Sequence, residues 1–301
     1  MPVKVPGNLP ARLILEQENI FVISNERAIH QDIRPIKIII LNLMPTKVAT
    51  EVQLLRCLTN TPLQIEVDLL YTATHIPRHT AKEYLSGFYK EFREIKGRKY
   101  DGMIITGAPV ENLEFEEVEY WQELCEIMEW SKTHVHSTLH LCWGAQAALY
   151  YHYKIPKYLT NEKQFGIFKH TVVNPNSKLF QGFNDEFDVP HSRQAEVRKA
   201  DLEKQPELII SALSEQVGVH TIESKDGKYI FAMGHAEYDS ETLAQEYFRD
   251  QGKGLNPNIP KYYFKDDNVT KKPINKWRSY AYLFYANWVN YYLYQTVPYE
   301  F

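Results

Sequence analysis

The most continuously apolar stretch, Ile36-Lys-Ile-Ile-Ile-Leu-Asn-Leu43, has too little polar alternation for a strand with one wet face and predicts a buried central strand. Pro45 and Thr46 then open a helix in which Val48, Val52, Leu55 and Leu58 recur at helical spacing. Residues 63–70 read as a second strand, 81–92 as helical, and Met103-Ile-Ile105 as a third strand ending in Thr106-Gly-Ala-Pro-Val-Glu111. A helix over about 117–131 turns Val118, Trp121, Leu124, Cys125 and Met128 to one side. In the stretch that follows, Leu139 and Leu141 alternate with polar neighbours, as in a half-buried strand. Cys142 ends it, Gly144 marks the junction, and Ala145, Ala147, Ala148 and Leu149 are strong helix formers. Strands alternating with helices predict an α/β fold: a parallel sheet with helices on both faces, its ligands at the carboxyl ends of the strands.

Past Tyr150 the pattern loosens into 157–165, 166–173, a turn at Asn174-Pro-Asn176, and Phe187 to Arg193. Short strands follow at 208–213, 217–222 and 229–233, the last running into Gly234-His-Ala-Glu-Tyr-Asp239. A helix over about 240–251 turns Leu243 and Tyr247 inward and carries Arg249 near its end. Residues 254–276 mix Asn, Pro, Lys and Asp as a surface excursion, and 277–293 form a final aromatic helix. Residues 1–34, with Pro2, Pro6 and Pro10, read as an arm that wraps the body. The segment of His235 returns to the sheet that carries Cys142, so 1–301 is expected to be one domain, with the arm at 1–34 and a C-terminal extension at 254–301.

Composition narrows the function. At 301 residues, 44% hydrophobic and 24% charged, the chain can bury a large core. A net charge of −4 argues against binding nucleic acid or a membrane surface. Three widely spaced cysteines make neither a disulfide framework nor a closely spaced metal site, so no metal is expected and a reducing compartment is. Apolar runs are too short for a membrane span and the N-terminus lacks a signal-peptide plan, which predicts a cytoplasmic protein. Cys57 and Cys125 lie on apolar helix faces and read as core thiols.

Cys142 differs from these because a strand-to-helix turn holds a nucleophile proud of the sheet, beside the positive end of a helix, where a thiolate is favoured. Thiol acyl transfer also needs a base and donors for the oxyanion. His235 supplies the base and Glu237 a carboxylate to orient it. The oxyanion donors would be backbone N–H groups after Cys142, at Trp143, and in the Gly107-Ala108-Pro109 loop, at Ala108. A histidine near a strand end is more often a structural hydrogen bonder, and a lone cysteine more often a small hydrophobe. The combination is what carries weight.

Strand, Cys, x, Gly followed by strand, Gly, His, Ala, Glu is the chain order of class I glutamine amidotransferases, a three-layer, flavodoxin-like α/β fold. Leu141 stands where that family keeps Gly. The sequence resembles more closely the homoserine O-acyltransferases of methionine biosynthesis. The resemblance is carried by Leu-Asn-Leu-Met-Pro-Thr-Lys (41–47), Thr-Gly-Ala-Pro-Val-Glu (106–111), Cys-Trp-Gly-Ala-Gln-Ala (142–147), Glu-Lys-Gln-Phe-Gly-Ile-Phe (162–168), Pro-His-Ser-Arg (190–193) and Gly-His-Ala-Glu-Tyr (234–238). It implies an acyl-thioester on Cys142, His235 as base, Glu237 as third member, and Lys163, Ser192 and Arg249 as holders of L-homoserine. From the residues alone, Lys163 and Arg249 would pass for solvated surface charges and Ser192 for a turn residue.

Glu111 resembles the acetyl-using members, where others carry glycine, and its carboxylate would repel the terminal carboxylate of a succinyl group. The expected reaction is ping-pong transfer from acetyl-CoA to the γ-hydroxyl of L-homoserine, with acetyl-CoA as substrate and no cofactor. The alternatives are succinyl-CoA as donor, a glutamine amidotransferase, or a non-catalytic member of the fold. The family suggests a homodimer.

Overall fold

A computed structural model describes residues 3–18, 22–24, 34–75 and 81–298. The parts of the expected N-terminal arm at 1–2, 19–21 and 25–33 lie outside the described residues. The rest of the arm gives strand β1 (Val3–Val5), helix α1 (Pro10–Gln17) and strand β2 (Val22–Ser24). It does more than wrap the body, since β1 and β2 pair in parallel with each other and β1 with the sheet.

The buried run forms β3 (Ile36–Leu41) and leads into α2 (Lys47–Leu58) and β4 (Ile65–Leu70). The helix expected over 81–92 is shorter. It is α3 (Lys82–Phe88), ended by strand β5 (Tyr89–Lys90), which pairs with the end of β4. Tertiary bonds override the helical pattern here: the Tyr89 hydroxyl donates to Glu51 Oε1 at 2.6 Å and accepts from Asn42 Nδ2 at 2.9 Å. Next come β6 (Tyr100–Ile105), α4 (Trp121–His134), β7 (Val135–Leu141) and α5 (Trp143–Tyr153).

The loosely patterned segment past Tyr150 is a long antiparallel hairpin, β8 (Tyr158–Val172) with β9 (Glu186–Glu196). Strands β10 (Leu208–Ser214), β11 (Gly218–Ser224) and β12 (Tyr229–Ala232) return the chain to the sheet, followed by α6 (Thr242–Gly252). The final helix is α7 (Arg278–Asn287), continued by a π-helical segment at Trp288–Tyr294. The excursion before it is less superficial than its composition suggests, because Tyr263 and Phe264 are buried and Lys261 exchanges backbone bonds with Phe165 and Ile167.

Among the described residues twelve strands form one sheet, ordered β2-β1-β4-β3-β6-β7-β12-β11-β10-β8-β9 with β5 on β4. Strands β3, β4, β6, β7 and β12 run parallel, and β11, β10, β8 and β9 extend the sheet antiparallel. Along β3 the side chains alternate between two cores: Ile38 and Ile40 face α2 and α7, while Ile39 and Leu41 face α4 and α5. This is a three-layer α/β sandwich. A third cluster, including Phe165, Tyr238, Tyr247 and Trp277, pins α6 beside the start of the hairpin. No helix among the described residues is long and apolar enough to cross a membrane.

Candidate active site

Cys142 stands between β7 and α5 with φ 49° and ψ −116°, a left-handed backbone that a non-glycine residue rarely adopts. Two features hold it there. Its N–H donates to the Ala232 carbonyl at 2.7 Å, tying the end of β7 to the end of β12, and its own carbonyl accepts the N–H groups of Ala145 and Gln146. Gly144 lets the helix start tight against the sheet, since a Cβ there would meet the Thr106 carbonyl at 2.5 Å. Cys142 is buried to 6% exposure but lines a cavity of about 460 Å³. Trp143 is the first residue of α5, so its N–H has no carbonyl one turn earlier to bond. The Gly107-Ala108-Pro109 loop lines the same cavity, with Gly107 against both Cys142 and His235.

His235 follows β12 and meets Cys142 across the cavity. Its Nδ1–H donates to Glu237 Oε1 at 2.7 Å, its ring stacks on Tyr238 with centroids 4.2 Å apart, and its backbone N–H donates to the Pro190 carbonyl at 2.8 Å. Burial alone would depress the imidazole pKa. The Cys142 and Glu237 charges, with side-chain hydrogen bonds from both, outweigh it and raise the pKa well above the ordinary value. The site therefore favours the imidazolium form of His235. Glu237 is itself buried, and its Oε2 has no bond among the described residues.

The opposite wall comes from the hairpin and α6. Lys163 on β8, Ser192 on β9 and Arg249 on α6 all line the cavity. Lys163 and Ser192, with Tyr238, converge on a residue that sequence reasoning missed, Glu246. Ser192 Oγ donates to its Oε2 at 2.5 Å, Lys163 Nζ lies 3.5 Å from the same oxygen, and the Tyr238 hydroxyl donates to Oε1 at 3.2 Å. Glu246 precedes Arg249 by three residues and so shares its helix face, the one signal that could have found it. Arg249 is half exposed and paired with Asp250 at 2.8 Å. Glu111 lines the cavity beyond the Ala108 loop, with Oε1 accepting the Gln194 N–H at 3.2 Å.

Leu-Asn-Leu-Met-Pro-Thr-Lys (41–47) builds the floor. Leu43 N–H donates to Thr106 Oγ1 at 2.8 Å and Met44 N–H to Asn42 Oδ1 at 3.1 Å, which sets Met44, Pro45 and Thr46 along the cavity. Lys47 turns inward to the Asn42 carbonyl, and burial, partly offset by Glu51, lowers its pKa to about 8. Cys57 is buried as expected, while Cys125 is only partly buried against its core.

The sheet order and the strand-to-helix turn at Cys142 define an α/β protein of the class I glutamine amidotransferase-like fold. A glutamine amidotransferase from Thermotoga maritima has this fold with a TM-score of 0.54 at 14% identity, over 86% of this chain and 98% of that one. The chain belongs to the homoserine O-succinyltransferase family, whose model matches residues 2–299. A homoserine O-acetyltransferase from Geobacillus kaustophilus is 58% identical over 300 residues, 100% of this chain and 99% of that one. Another from Clostridium acetobutylicum is 54% identical over 300 residues, 100% of both chains. Membership makes the chain an enzyme of the homoserine acyltransferases of methionine biosynthesis. The family description carries a succinyl group and these relatives' names an acetyl group.

Proposed function

We propose that the protein transfers the acetyl group of acetyl-CoA to the γ-hydroxyl of L-homoserine, through a thioester on Cys142, giving O-acetyl-L-homoserine and CoA. The observation that carries the reading is the line from Cys142 through His235 to Glu237 at the edge of a cavity whose far wall holds Glu111, Lys163, Ser192, Glu246 and Arg249. The thiolate of Cys142 attacks the acetyl carbonyl, and the oxyanion is met by the N–H groups of Trp143 and Ala108. CoA leaves as its thiol with the proton of His235. The thioester carries no charge, so the chief interaction that kept His235 protonated is gone and the imidazole becomes a base. It takes the γ-hydroxyl proton of homoserine, the oxygen attacks the thioester, and the Cys142 thiolate is regenerated beside imidazolium. General-base help of this kind contributes roughly 10²–10⁴ in rate.

Arg249 and Lys163 supply cations for the homoserine carboxylate, and Glu246 an anion for its ammonium. No cofactor enters this scheme, and the substrates are those of a cytoplasmic enzyme. Glu111 selects the donor. Its carboxylate, facing a confined cavity, repels the free carboxylate of a succinyl group and leaves acetyl unaffected. Glu111→Gly is expected to raise the ratio of kcat/KM for succinyl-CoA over acetyl-CoA by about fivefold or more, a like-charge contact being worth about 1 kcal/mol or more. An unmoved ratio would remove Glu111 as the selector of the donor, and a wild-type preference for succinyl-CoA would favour the succinyl reading.

A further inference from the structure

Pro190-His-Ser-Arg193 contains two side chains that the acyl-transfer steps leave unused. Ser192 lines the cavity, and strand alternation turns His191 and Arg193 to the other face, where both are buried, Arg193 to 1% exposure. The guanidinium bonds neutral acceptors: Nε donates to His191 Nδ1 at 3.2 Å, and its two terminal nitrogens donate to the carbonyls of Ala195 and Val217, each at 2.6 Å. Burial lowers its pKa to about 10, while the charges of Cys142, Glu196 and Glu111 favour the cation. A buried cation held by neutral groups is costly to keep, which calls for a role.

Its bonds lead to both halves of the reacting pair. The Ala195 carbonyl also accepts Gln146 Nε2 at 3.0 Å, and Gln146 lies in the first turn of the helix that begins at Cys142. On the other side, the Arg193 N–H occupies His191 Nδ1, so the His191 proton sits on Nε2. That nitrogen lies 3.1 Å from His170 Nε2, and His170 Nδ1 faces the Phe168 carbonyl at 2.9 Å. His191 is thereby fixed against the backbone that carries the base: a Cβ on Gly234 would lie 2.8 Å from His191 Nε2. Next to it, the Gly234 N–H donates to His220 Nδ1 at 3.3 Å and the His235 N–H to the Pro190 carbonyl at 2.8 Å.

Nitrogens of His170, His191 and His220 lie within 4.8 Å of one another, a grouping of cation size. The donor pattern opposes a divalent cation there. With Nδ1 of His191 bonded to Arg193, ligation through Nε2 would require the ring to lose its last proton beside a guanidinium.

We propose that Arg193 is a positioning residue for acyl transfer, seating the backbone of His235 through His191 and the first turn of the Cys142 helix through Ala195 and Gln146. The proposal rests on the acyl-transfer reading, but its test can be separated from it. Iodoacetamide alkylation of Cys142, followed by mass across pH without substrates, needs the thiolate alone and not the correct acyl donor. The charged or titrating groups around that thiolate are His235, Tyr238 and Arg193, with Glu111, Lys163 and Glu246 across the cavity.

In Arg193→Met, shown to be folded by circular dichroism, alkylation near neutral pH should slow by about tenfold, because the base is no longer held against the thiol. Its kcat should fall about 10²-fold with the KM for homoserine within about twofold. Arg193→Lys keeps the charge without the fork of donors, so its alkylation should slow and its kcat fall as in Arg193→Met. His191→Asn keeps an acceptor for Arg193 in its Oδ1 and removes the Nε2 that a metal would need. Unchanged profile and kcat in folded Arg193→Met would overturn the proposal. If that variant does not fold, wild-type kcat in Arg193→Lys would overturn it, and so would a stoichiometric divalent metal in the wild-type protein that His191→Asn lacks. If the alkylation results hold but no acyl-CoA is consumed, the acyl-transfer reading fails and the positioning role stands.

Discussion

At the scale of single residues, His235 shows how competing terms are decided. Enclosed at 4% exposure, it would be neutral if burial acted alone, and two adjacent anions reverse that. Glu246 is the counterpart across the cavity, a carboxylate that gathers Ser192, Lys163 and Tyr238 and that the proposed reaction offers to the ammonium. Because hydrogen bonds to charged groups are worth about 1.5–3 kcal/mol, Glu246→Gln should raise the KM for homoserine by roughly 10- to 100-fold. The rate of acetyl-enzyme formation, measured before homoserine is added, should stay within about twofold of wild type, since that step does not use the ammonium. Equal losses in both half-reactions would mean that Glu246 only holds β8 and β9 in place.

At the scale of elements, the sequence was most legible where local pattern and fold agree. The run of Ile36 to Leu41 is buried along its length apart from Lys37, and the Leu139-Leu141-Cys142-Gly144 pattern produces a strand that turns directly into a helix. The hairpin was illegible for a physical reason. Between Leu159 and Gln164 its register shifts, which breaks the two-residue alternation over the stretch that contains Lys163, and the tips of β8 are exposed. Lys163 and Ser192 are therefore reached through the family resemblance, and Glu246, one acid on an amphipathic helix, carries no motif that singles it out. The segment at Tyr89 was misread as helix because its partners, Glu51 and Asn42, are remote in sequence.

At the scale of the whole molecule, the sheet buries histidines that cannot accept a proton in place. Burial lowers the pKa of His140 to about 4 and of His170 to about 3, and pushes His191 and His220 well below the ordinary value. Above about pH 6.5 these groups are neutral folded or unfolded and exert no pH-dependent effect. As pH falls from there toward 4, the unfolded chain takes up protons that the folded chain excludes, so stability is lost by roughly 1.4 kcal/mol per pH unit for each such histidine. His235, raised rather than lowered, is protonated in both states over this window and does not add to the loss. Urea unfolding between pH 7 and 4.5 should show that decline, and His140→Phe should flatten it; a slope unchanged by the substitution would contradict the assignment. The proposed reaction joins two substrates at one sulfur, that of Cys142. Incubated with acetyl-CoA alone and examined by intact-protein mass spectrometry, the wild type should gain one acetyl group that maps to Cys142 and is discharged by homoserine. Cys142→Ala should gain none, and a label that persists in that variant, or that homoserine does not remove, would contradict the account.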